Sequence, residues 1–158
     1  MDDVAIARAL HVLSVVLWIG GVAFVTTVLL PALRGRPADE RLDAFDALER
    51  RFSRQARITT LLAGATGFYM VARLDLWDRF HAIAFWWMHG MVLVWLVFTA
   101  MLFIAEPLFL HRWLAARARR APASTFRLVE ALHRLLLALS LITILGAVAG
   151  SHGFFLFG

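Results

Sequence analysis

The chain has 158 residues, 61% of them apolar and 17% charged, with a mean hydropathy of +0.76 and a formal net charge of +5. Soluble domains run nearer half apolar and a quarter charged, so this balance belongs to the membrane class, and the length allows one domain. The absence of cysteine excludes disulfides, thiolate metal sites and cysteine nucleophiles, leaving His, Met, Asp, Glu and Tyr for any metal chemistry.

All of the basic side chains are Arg; together with the absence of Asn this fits a GC-rich bacterial genome. They gather in two segments beside apolar stretches, which favours a membrane surface over nucleic acid as the partner of the positive charge. The start, Met1-Asp2-Asp3, has neither a basic region nor a small-residue cleavage site, so no removable signal peptide is expected.

In chain order, the first uncharged stretch is 9–33 and predicts a span over about 8–33. At about 1.5 Å per residue it is long enough for a hydrocarbon core of about 30 Å. The second, 58–72, is the shortest, but Arg57 and Arg73 at its ends can snorkel toward water, and a span over about 56–74 is expected. It continues a cytoplasmic helix in which Leu42, Phe45, Leu48 and Phe52 recur at steps of three and four, capped by Asp39 after Pro37. One helix over 39–73 results. The third span, about 82–106, runs past a kink at Pro107 to about Arg120. Ser124 is expected to cap the last helix after Pro122, with its span over about 131–155.

The segment between spans one and two carries Arg34, Arg36, Arg41, Arg50, Arg51, Arg54 and Arg57, and that between spans three and four carries Arg112, Arg117, Arg119, Arg120 and Arg127. The opposite side offers only Arg8, Arg73 and Arg79. The positive-inside rule therefore makes both Arg-rich segments cytoplasmic and both termini external. The expected fold is all-α: a four-helix transmembrane bundle of the bacterial inner membrane, with helical cytoplasmic extensions.

Ionisable side chains inside a bilayer cost several kcal/mol unless paired, so the histidines carry most of the functional information. His81 and His111 lie at span ends, and His133 near the cytoplasmic face. By helical rise His11 and His89 both lie about 5–15 Å below the outer surface, with His152 close above as an alternate ligand. His11, Ser14, Trp18, Gly21 and Val25 follow one face of span one; Thr60, Gly64, Gly67 and Val71 make a small-residue face on span two; His89, Val92, Leu96, Thr99 and Phe103 align on span three. Small residues let helices approach, and equally leave room for a flat cofactor. Two facing imidazoles with apolar walls suit a six-coordinate haem iron, and Arg8, Arg73 or Arg79 suit haem propionates. The bland alternative is that each His hydrogen-bonds a hydroxyl or carbonyl and ties helices together.

Leu10-His11, Trp18-Ile19-Gly20-Gly21 and Leu29-Leu30-Pro31 resemble the first span of the copper resistance protein D-like (CopD-like) membrane family, and also that of HemJ-type protoporphyrinogen oxidases. Trp87-Met88-His89 resembles the HemJ pattern of a Trp shortly before a His. The resemblance implies haem b chemistry or copper handling, carried by His11 and His89. Where the HemJ pattern has Lys two positions after the third-span His, this chain has Met91, which disfavours that oxidase activity.

The leading expectation is a haem b-binding membrane protein, a small cytochrome moving electrons between a quinol or another redox partner and an external acceptor. A copper carrier using His11, His89, Met70, Met88 and Met91 is an alternative, though Met101 and His133 alone make no ladder through the inner half. A cofactor-free assembly protein, docking a partner through its Arg-rich helices, is the other. Glu106 and Glu130 lie near the cytoplasmic interface, where a solvated carboxylate accounts for each. Catalysis, oligomeric state and redox partner stay open at this point.

Overall fold

The computed structural model describes residues 2–37 and 40–157, apart from the side chain of Leu42. Four long helices make up the chain: α1 (Asp2–Leu33), α2 (Glu40–Arg73), α3 (Ile83–Arg120) and α4 (Pro122–Ser151). No strand occurs among the described residues. Asp39, the expected cap of α2, and the side chain of Leu42 lie outside the described residues.

Helices α1, α3 and α4 are long and apolar enough to cross a membrane. Their outward faces are lined by exposed aliphatic side chains, among them Leu13 and Val16 on α1, Leu93 and Ile104 on α3, and Ile142 and Leu145 on α4. So much apolar surface facing outward is costly in water and matches lipid. Helix α2 falls short of that standard because its first half is charged and its second half carries Thr59, Thr60, Thr66, Gly64 and Gly67.

Two clusters of buried side chains hold the helices together. The central one joins Trp18, Ile19 and Val22 of α1 to Ala56 and Ala63 of α2, Phe98 and Leu102 of α3, and Leu137 of α4. The other, at the Arg-rich end, joins Val25, Leu30 and Leu33 of α1 to Phe45 of α2 and to Phe126 and Val129 of α4. Helix α1 packs along α2, and α3 along α4.

The seams between helices are made by glycines that each receive a neighbour's side chain. A Cβ at Gly21 would run into the ring of Phe52, and one at Gly64 into the indole of Trp95. On α4, Gly146 faces Trp86 and Gly150 faces Trp87. In lipid the hydrophobic effect does not press helices together, so close packing and interhelical hydrogen bonds must do it. Trp95 supplies both: its ring fills the Gly64 notch while Nε1–H donates to the Thr60 carbonyl at 2.9 Å.

Prolines shape the Arg-rich ends. A π-helical turn, Val25–Leu29, precedes Pro31, and a longer π-helical segment, Met101–Leu110, contains Pro107. The expected kink position falls within this π-helical segment, and α3 continues to Arg120. The expected Ser124 cap is corrected. Helix α4 begins at Pro122, whose missing N–H costs nothing at a first-turn position. Ser124 instead donates its hydroxyl to the Ala121 carbonyl at 3.2 Å.

Gly64→Ala should lower stability by about 1–3 kcal/mol, because the Trp95 indole must leave its notch. Gly20→Ala, where nothing lies within 4 Å, should gain up to about 1 kcal/mol from helix propensity. Thermal unfolding of both variants in detergent checks these opposite signs.

Candidate functional site

The histidines expected to face one another are placed differently. His11 is half-buried between α1 and α2, and its Nδ1–H donates to the Ala63 carbonyl at 2.9 Å, with Thr66 Oγ1 3.3 Å away. A carbonyl only accepts, so this contact fixes the proton on Nδ1 and leaves Nε2 with its lone pair. A Cβ at Gly67 would stand 3.2 Å from His11 Cε1, so Gly67 is what lets the ring lie against α2.

His89 is exposed and packs edge-on against Phe80, with ring centroids 5.4 Å apart. The physical reason is helical phase. Phe98, which meets Trp18 edge-on at 4.9 Å in the centre of the bundle, lies nine positions further on, about two and a half turns and so on the opposite side of α3. The inward face of α3 is Trp87, Val94, Trp95, Phe98 and Leu102; the expected face contains Leu96 and Phe103, which are 51% and 37% exposed. The faces expected on α1 and α2 are the inward ones, with Ser14, Trp18, Val25 and Thr60 all buried.

The other expected cofactor contacts have partners of their own. Trp18 is core, while Gly21, Gly64 and Gly67 hold Phe52, Trp95 and His11 respectively. Arg73 binds Asp3 at 2.9 Å, an acid that also accepts from Tyr69 at 2.8 Å. Arg79 lies over the Phe85 ring, 5.0 Å from its centroid. Arg8 is exposed on the outward face of α1, and the His152 imidazole donates to the Val148 carbonyl of its own helix at 2.8 Å. The notches that would cradle a flat macrocycle are thus filled by the chain's own rings, and the residues as arranged do not fit a haem between two facing imidazoles. Among the described residues no three His, Asp or Glu side chains converge as a metal site.

Polar chemistry concentrates instead at the Arg-rich end, between α2 and α3. In the i→i−5 register of the π-helical segment, the carbonyl that Pro107 leaves without a donor is that of Leu102. Arg57 supplies the donor from α2: its Nε donates to Leu102 O at 3.2 Å, and its terminal nitrogen lies 3.4 Å from Glu106 Oε1. His111 Nε2 stands 3.5 Å from the same oxygen, and Ser53 Oγ donates to Glu106 Oε2 at 3.1 Å. Arg50, Arg51 and Arg54 complete the hollow around this carboxylate. The side chain of Glu106 is only 12% exposed, so the expected solvated carboxylate is corrected: it is a buried, paired one.

Glu130 is a second case. Its carboxylate is buried, accepts from Arg34 Nε at 2.7 Å and lies 3.8 Å from Arg134, so it pins the end of α1 to α4. His133 beside it donates to the Val129 carbonyl and stands edge-on to Phe45. The sequence signal for the Glu106 site is a Glu-Pro pair closing an apolar span opposite an Arg that opens one. It could have been found by asking who satisfies the carbonyl that Pro107 orphans.

In the N-terminal half of α2, burial pushes Glu49 up to about 7, and the like charges of Asp46 and Glu106 push the same way. Its folded form holds a proton that the unfolded chain releases near the ordinary carboxylate value, so stability falls as pH rises from about 4.5 to about 7. Glu49→Gln should leave the melting temperature unchanged at pH 4 and raise it at pH 8, as read by unfolding scans across that range. Against known proteins, the chain matches no protein-family model, no curated protein and no solved structure.

Proposed function

We propose that the chain is a four-span protein of the bacterial inner membrane, with α2 as the second span and both termini outside, which docks an anionic partner through its Arg-rich cytoplasmic end. Support for α2 as a span comes from its outward stripe of Ile58, Leu61, Leu62 and Phe68, exposed and apolar. Two of its hydroxyls also spend their protons within the helix, Thr59 on Gln55 and Thr66 on Leu62. Orientation rests on charge: all Arg except Arg8, Arg73 and Arg79 gather at one end.

The observation that carries the functional part is the contrast between the two ends. The outer seams are closed by rings seated in glycine notches, whereas the inner end opens a hollow in which four guanidiniums surround one carboxylate. This is the assembly-protein reading. Because the chain lacks cysteine, single-Cys variants test the topology directly. Asp78→Cys should react with an impermeant maleimide in intact cells and Arg119→Cys only after lysis; the reverse pattern overturns the orientation. A photo-crosslinker at Ala116 should give a discrete adduct that Arg117→Glu/Arg120→Glu abolishes, and an adduct indifferent to that charge reversal overturns the docking.

One observation favours a second reading, haem b bound for redox work. The Nδ1–H of His11 rests on a backbone carbonyl, the arrangement that orients a ligating imidazole and leaves Nε2 to the metal. Detergent-purified protein from haem-supplemented cells should then show a Soret band that His11→Ala loses. A colourless wild type removes this reading.

A further inference from the structure

We propose that the hollow between α2 and α3 at the inner end is a binding site for a phosphate group, supplied by the headgroup of an anionic phospholipid of the inner leaflet. The inference rests on the docking reading in so far as it makes the inner end anion-binding, and it names the chemistry of that anion.

Three observations converge. Arg50, Arg54 and Arg57 stand at steps of four and three on α2, so their guanidiniums share the face that looks onto Glu106 and His111 of α3. Of these, Arg57 is held rigidly by Leu102 O and Glu106, which presents the remaining N–H groups of its fork at a fixed angle. The charge is also unbalanced. Glu106 is taken up by Arg57, His111 and Ser53, while Arg51 and Arg54 have no carboxylate partner among the described residues and Arg50 only acts at a distance on Asp46. Like charges gathered at a low-dielectric boundary need a counter-anion.

A tetrahedral phosphate suits this arrangement better than a carboxylate does. It offers acceptor oxygens in several directions, where separate guanidiniums approach from one wall, and its charge offsets more than one Arg. Position selects the source. Arg57 directly precedes the apolar stretch of α2 that begins at Ile58, and Glu106 closes that of α3, so the hollow sits at the depth of headgroup phosphates. Glu106 repels an incoming anion, but its charge is already paired with the Arg57 guanidinium and hydrogen-bonded by Ser53.

The test uses the full chain in nanodiscs of phosphatidylcholine containing a small fraction of phosphatidic acid, with retained lipid counted by native mass spectrometry. Wild-type protein should keep phosphatidic acid over phosphatidylcholine, and Arg50→Gln/Arg54→Gln should reduce that retention about tenfold. Arg50→Lys/Arg54→Lys should recover part of it, because charge returns without the fork. Arg117→Gln/Arg119→Gln, away from the hollow, should retain lipid as the wild type does. Exposed Arg50 and Arg54 carry no packing, and the melting temperature confirms that each variant is folded. Equal retention of both lipids, or equal loss in the two Gln pairs, overturns the site. Inorganic phosphate that protects the wild type thermally and displaces the lipid keeps the phosphate chemistry but overturns the lipid source. Loss of the Ala116 adduct with lipid retention intact, or the converse, separates failure of the docking reading from failure of this one.

Discussion

The apolar seams of this bundle depend on rings finding gaps. Lipid tails solvate leucine as well as another leucine does, so two apolar helices gain nothing from merely touching. They gain when shape lets backbones approach and dispersion contacts multiply, which a glycine opposite an aromatic achieves. Gly64 with Trp95, Gly146 with Trp86, Gly150 with Trp87 and Gly21 with Phe52 join α2 to α3, α3 to α4 and α1 to α2 by one device. His11 in the notch of Gly67 belongs to the same series, with a hydrogen bond added.

That device has a cost to function in the half away from the Arg-rich end. The bundle's own rings already occupy the notches at Gly64, Gly146 and Gly150. Polar chemistry concentrates where the packing changes character, at the Arg-rich ends, where π-helical turns lie beside prolines and Pro107 leaves a carbonyl without its donor. Arg57 and Glu106 answer one such loss together: the guanidinium satisfies Leu102, and the carboxylate keeps the guanidinium in place. Glu130 with Arg34 does comparable work between α1 and α4.

The four helices were legible because each is marked by charge at its ends and by apolar runs between, and the inward faces of α1 and α2 followed from small and polar residues among large ones. The face of α3 was not legible in the same way. Its outer half is apolar all round, from Trp86 through Phe98, so periodicity carries no phase and a single His is a poor marker of direction. His89 lies opposite Phe98, and tryptophans rather than the imidazole point inward. The partners of Glu106 escaped for another reason. A π-helical segment has no sequence period of its own, and the Arg57–Glu106 pairing crosses helices that the sequence does not register against each other.

The ten-residue π-helical stretch within α3 also sets the angular relation between the two halves of that helix. Each turn wound wider than 3.6 residues rotates everything beyond it, so the lipid-facing half before Met101 and the Arg-bearing half after Leu110 are phased independently. The segment therefore acts as a swivel coupling between the apolar half and the Arg-bearing arm, which settles against the start of α4 through Leu114 and Ala118.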